Sequence, residues 1–204
     1  GSFGGSFSGG TNGHAGFDSL GNFSGEGHND QSPNNFFGDI NDDNSQGYML
    51  TSITDDDGGK SYIAALNLLS NQDEYDINMI LIPGIADDLG GAHAGIITKA
   101  IDIAEGRGDC FVIYDVVGKS ETSIANVTTK AGTRDSNYAA TYWPWIQVSD
   151  NQTGAMRWVP PSSVLCGIYA FNDKVAAPWF APAGLNRGGL DTVIQAARKL
   201  THSN

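Results

Sequence analysis

The chain has 204 residues, 40% of them hydrophobic, and a net charge of −12. That length fits one sizeable core or two subdomains. The acidic balance argues against nucleic acid and anionic membrane surfaces as partners, since both call for Lys and Arg, and it keeps copies soluble and apart before assembly.

Residues 1–60 read as a Gly/Asp-rich insertion or loop region. Gly fills 14 of these positions, well above the usual ~7%. The opening GSFGGSFSGG echo buries too little apolar surface to offset chain entropy alone. Phe3, Phe7, Phe17 and Phe23 are its anchors. The run Asp55–Gly59 reads as a hydrated turn, and Tyr48–Thr54 as a short strand. The chain starts without Met or a signal peptide, so a fragment or ordered part of a longer protein is expected. No apolar run approaches the ~18 residues of a membrane span.

Residues 61–204 read as one α/β domain. Tyr62, Ala65, Leu66 and Leu69 have helical spacing. Asn78–Ile82 is a buried strand ended by Pro83-Gly84. Ala92–Glu105 is a helix stopped by Gly106 and Gly108, and Asp109–Asp115 a second buried strand. Strand, helix and strand form a βαβ unit with parallel strands. Ser120–Lys130 is weakly helical. Ala139–Val148 reads as one aromatic strand with Pro144 at an edge or bulge. A turn at Asn151–Gly154 leads into Met156–Val159. Pro160 and Pro161 open a helix over Ser162–Ala170, where a missing N–H is tolerated. Pro178–Gly184 is a loop, and Gly189–Leu200 a closing helix.

Chemical motifs are weak. Gly90-Gly91-Ala92-His93-Ala94-Gly95 sits where a dinucleotide fingerprint would, but its spacing is wrong, so a tight strand-to-helix turn is the better reading. His14, His28, His93 and His202 lack zinc-ligand spacing. Asp39–Asp43 fails as a calcium loop because Leu50 stands where the closing Glu belongs. No G-x-S-x-G elbow appears, and Ser162 and Ser163 read as helix-start residues. Cys110 and Cys166 read as small buried hydrophobes, with their pairing left open. No catalytic, cofactor-binding or metal-ligating residue is therefore expected.

The most informative block runs from Tyr138 to Gly188 and holds all four Trp residues. It contains YAATYWPW (138–145), VPPSSVLCGIYAFND (159–173) and APWFAPAGLNRG (177–188). With INMILIPG (77–84) and DCFVIYD (109–115), this order resembles the contractile tail sheath protein family over about the last 140 residues. Where the family reads A-R-T-D, this chain has Ala170-Phe171-Asn172-Asp173, which puts any salt bridge of that Arg in doubt.

The resemblance implies a subtilisin-like architecture without a catalytic triad, and a mechanical subunit rather than an enzyme. It implies a helical homo-oligomer, built largely through regions outside this segment, around an inner tail tube protein. Baseplate and tail terminator proteins are further implied partners, without nucleic acid or membrane insertion. The implied location is the virion tail, after assembly in the host cytoplasm. Trp158, Trp179, Pro182, Asn186 and Arg187 are implied as subunit-contact or loop-shaping residues. Alternatives are the sheath of a tail-derived bacteriocin or injection system, a hydrolase or nucleotide-binding enzyme, and a carbohydrate-binding or adhesion module using the aromatics.

Overall fold

A computed structural model describes residues 44–45, 48–149, 154, 156–177 and 179–201. The readings of the Gly-rich front, of Asp39–Asp43, of His14, His28 and His202, and of the turn at 151–153 lie outside the described residues.

The described chain opens with a two-stranded hairpin, β1 (Asn44–Ser45) and β2 (Tyr48–Met49). The expected strand at Tyr48–Thr54 is confined to its first two residues. Helix α1 (Asp57–Leu69) begins earlier than the apolar spacing indicated. The run read as a hydrated turn instead supplies its first turn, and Gly58 and Gly59 are buried. A Cβ on Gly59 would lie 2.1 Å from the Ser52 carbonyl oxygen, so only glycine lets the backbones approach this closely.

Strand β3 (Met79–Ala86), helix α2 (His93–Arg107), strand β4 (Phe111–Asp115), helix α3 (Ile124–Ala131) and strand β5 (Ala139–Tyr142) follow. The three strands pair in parallel in the order β3-β4-β5, as the βαβ reading required. Pro83-Gly84 does not end β3. The strand passes through them with a register shift between Leu81 and Ala86, and Gly84 takes a φ of 90°. Gly108 closes α2 in the left-handed conformation, its N–H bonded to the Ala104 carbonyl. Ser123 caps α3 by accepting from the Asn126 N–H.

The sheet has two differently covered faces. Ile80, Ile82, Val112 and Tyr114 join Ile96, Ile97, Ala100 and Ala104 of α2 in the main core. Leu50 and Leu66 also belong to that core. The alternate residues Phe111 and Asp115 meet helix α4 (Ser162–Val175) on the opposite face. Phe111 lies against the Tyr169 ring, and the hydroxyls of Tyr142 and Tyr169 are hydrogen bonded.

Two expectations fail at the second sheet. Ala139–Val148 is not one strand. It breaks at Trp143-Pro144-Trp145, across a cis Trp143–Pro144 bond, and β6 (Ile146–Ser149) enters another sheet. Pro144 has no N–H to donate to a ladder, and the buried Trp145 indole donates to the Val117 carbonyl at 2.9 Å, holding the corner. The closing helix at Gly189–Leu200 is also absent: β8 (Val193–Ala196) pairs antiparallel with β6. β-Branched Thr192, Val193 and Ile194 favour extended backbone, and the open edge of β6 offers their hydrogen bonds. With β7 (Met156–Val159) the sheet order is β7-β6-β8.

Candidate interaction surface

Helix α4 starts with Pro160 and Pro161, as expected, but runs five residues beyond Ala170. Its N-terminus has no capping side chain of its own. The cap comes from across the fold. Ser162 donates its N–H to Asp115 Oδ1 at 3.1 Å and its hydroxyl to Oδ2 at 2.7 Å. Burial raises the Asp115 carboxyl to about 6, against the opposing hydrogen bonds from Ser162 and the Gly84 backbone. Ser162 is thus a helix-start residue, as read, but its partner was not visible in the sequence.

Past α4 the chain forms a compact loop. Phe180 N–H bonds to the Ala177 carbonyl, and Gly188 N–H to that of Gly184, which has a φ of 78°. Asn172, buried on α4, donates its side-chain amide to the Phe180 carbonyl. In the stretch where the resemblance put an Arg salt bridge in doubt, an amide anchors the loop instead. The Arg187 guanidinium stacks 3.9 Å from the Phe180 ring centroid.

The residues singled out from the sequence do not form one cluster. Trp158 is half-buried on β7 with Lys119 5.9 Å from its ring. Pro182 and Arg187 are half-buried in the loop, and Asn186 is exposed. Trp179 is 86% exposed at the loop tip. Sequence reasoning missed Leu185, 96% exposed, and Phe171, exposed on α4. Apolar residues inside a Gly/Pro-rich stretch were the available signal. Between α4 and this loop lies an open groove of about 370 Å³, lined by Val164, Ile168, Phe171, Leu185, Leu190 and Asp191 among others.

Polar groups elsewhere are committed to the fold. Arg134 grips buried Asp87 with two hydrogen bonds, at 2.8 and 2.5 Å, with Lys130 3.9 Å away. Arg107 binds Asp109 and the carbonyls of Leu69 and Tyr75. Buried His93 accepts the Ala86 N–H through Nδ1, consistent with a tight turn into α2. Cys110 is buried, Cys166 is half-buried, and both are free thiols. Among the described residues, no group of three or more His, Cys, Asp or Glu is placed to hold a metal ion, and no helix is long and apolar enough to cross a membrane.

The chain is 32% identical over 87 residues to a tail sheath protein of Vibrio phage KVP40, a match covering 43% of the chain and 12% of that protein. It is 26% identical over 149 residues to the tail sheath protein of Enterobacteria phage T4, covering 65% and 23%. This chain is similar in sequence to phage tail sheath proteins. It spans less than a quarter of the length of these sheath relatives. No protein-family profile matches it.

Proposed function

We propose that this chain is part of a structural subunit of a contractile phage tail sheath. The subunit polymerises helically around an inner tube and contracts to drive that tube through the host envelope. The observation that carries the reading is the similarity to two phage tail sheath proteins. The mechanism is physical. Two packings of the same rigid domain bury different surfaces, so the lattice is bistable and its contraction releases free energy without a bond being made or broken.

Residues 61–204 form the sheath α/β domain in this reading, with a subtilisin-like architecture, and residues 1–60 an insertion on its surface. Trp179 serves subunit contact. Pro182, Asn186 and Arg187 shape the loop that presents it, and Trp158 steadies the second sheet. The tube, baseplate and tail terminator proteins are the partners, and the subunit assembles in the host cytoplasm before residing in the virion tail.

Electron microscopy of the intact polypeptide tests this. Helical tubes of uniform diameter are the expected result. A discrete monomer or small oligomer under every assembly condition, or specific carbohydrate affinity in its place, overturns the reading.

A further inference from the structure

The described chain opens beside the start of α4. Ser45, in β1, is buried and donates its hydroxyl to the Gly84 carbonyl at 3.0 Å. The Gly84 N–H in turn bonds to the Asp115 carboxyl group, and that group holds Ser162, the first residue of α4. A short relay of hydrogen bonds therefore joins β1 to the helix N-terminus. Residues 1–43 precede β1, so they are tethered at that end of α4.

The groove on α4 runs away from the tether. Val164, Gly167, Ile168 and Phe171 line it along one helix face, and Leu185 and Leu190 stand across a volume of about 370 Å³. From 162 to 171 the helix rises about 14 Å. The walls are left in water, with Phe171 46% and Leu185 96% exposed. Adjoining apolar surface of this kind marks a place that another segment covers.

We infer that the α4 groove is the docking site of this chain's own Phe36-Phe37 segment. In residues 1–43 the aromatic side chains occur singly except at this pair. The pair is also the nearest to β1: Phe37 precedes Asn44 by seven residues, a reach of about 23–25 Å when extended. That reach exceeds the ~14 Å down the helix to Phe171. Phe23 and the earlier Phe residues hang on tethers of 21 residues or more, and closure entropy rises with tether length. The two rings lie against Ile168 and Phe171 on one side and Leu185 on the other. Ring burial supplies the attraction, and the short tether makes the contact intramolecular at a high effective concentration. Groove and occupant belong to one chain, so the inference stands apart from the sheath reading.

The test uses the full chain with Cys166 replaced by Ser, so that no half-buried native thiol on α4 competes. Phe37→Cys with Phe171→Cys is expected to form a disulfide within one copy on mild oxidation at low protein concentration. It is expected to form roughly ten-fold faster than Phe37→Cys with Asp173→Cys, since the bond needs Cα atoms within ~7 Å. Asp173 is exposed on α4, two residues on and about 200° round the helix, so it shares the tether but not the groove. Separately, Phe36→Ser with Phe37→Ser is expected to speed amide exchange of residues 185–192 on the order of ten-fold, and an excess of a peptide of residues 33–43 to slow it again. Equal oxidation rates at the two positions, a link only between copies, or amide exchange unmoved by the Ser pair each overturn the inference. Where the Ser pair loses helical circular dichroism, the oxidation rates decide alone.

Discussion

The Asp115 carboxylate sits at the C-terminal end of β4 and holds both polar hydrogens of Ser162. Its pKa is raised from an ordinary 3.8 to about 6 because burial disfavours the charge. The folded state therefore keeps a proton through a range where the unfolded chain has lost it, and stability falls as pH rises from about 4 to about 6. The loss amounts to ~3 kcal/mol for a two-unit shift. Asp115→Asn keeps an acceptor for the Ser162 N–H and a donor for its hydroxyl, without the charge. Denaturant midpoints at pH 4 and pH 6.5 are expected to diverge for the wild type and much less for this variant; parallel pH profiles would refute the assignment. Arg134 makes a second single-residue case. Replacing it with Met leaves Asp87 buried beside a distant Lys130 and is expected to cost ~3 kcal/mol in urea unfolding. Asp87→Leu in the same chain is expected to recover part of that loss.

At the scale of elements, two close approaches set the layout. Gly59 lets the first turn of α1 lie against the Ser52–Ile53 backbone. Gly59→Ala forces that contact apart and is expected to cost roughly 1–3 kcal/mol, read as a lower Tm with the helical circular dichroism retained. The Trp145 indole joins the corner before β6 to the loop after β4. Trp145→Phe keeps most of its apolar bulk but strands the Val117 carbonyl, with an expected loss of about 1–2 kcal/mol by the same measurement. The elements read correctly were those whose pattern was local. The three-and-four spacing of Ile96, Ile97, Ala100 and Ala104 is α2, and DCFVIYD is β4. Those misread had a pattern that a neighbour overrode. Val193, Ala196, Ala197 and Leu200 space like a helix face, yet the β6 edge took the segment as a strand. Ala139–Val148 alternates like one strand, yet its halves serve two sheets.

For the whole molecule, the property that bears on the proposed sheath reading is its net charge of −12. Copies of a chain with that charge repel one another, so apolar surface must outweigh the repulsion for them to join. Polymerisation in the proposed reading is therefore expected to strengthen as salt rises from about 0.05 M to about 0.5 M, because the Debye length falls from over 10 Å to a few Å and screens the repulsion between copies. Turbidity and sedimentation across that range check it, and assembly that weakens steadily with salt would point to attractive charge pairs between copies instead. The exposed Trp179 and Leu185 make sense at this scale, since large apolar groups left in water are characteristic of surfaces that other proteins cover.

By itself the sequence determined the parallel strand–helix–strand core, the double-proline start of α4, the charge imbalance and the resemblance to sheath proteins. Each is carried by neighbours in the chain or by residue counts, which need no partner from elsewhere. Only the tertiary structure decided that Asp115 caps a helix 47 residues away, that β8 is a strand, and that an amide on Asn172 holds the 177–188 loop. Those outcomes depend on which hydrogen-bonding groups another segment leaves open, and that is a property of the assembled core rather than of any window of the chain.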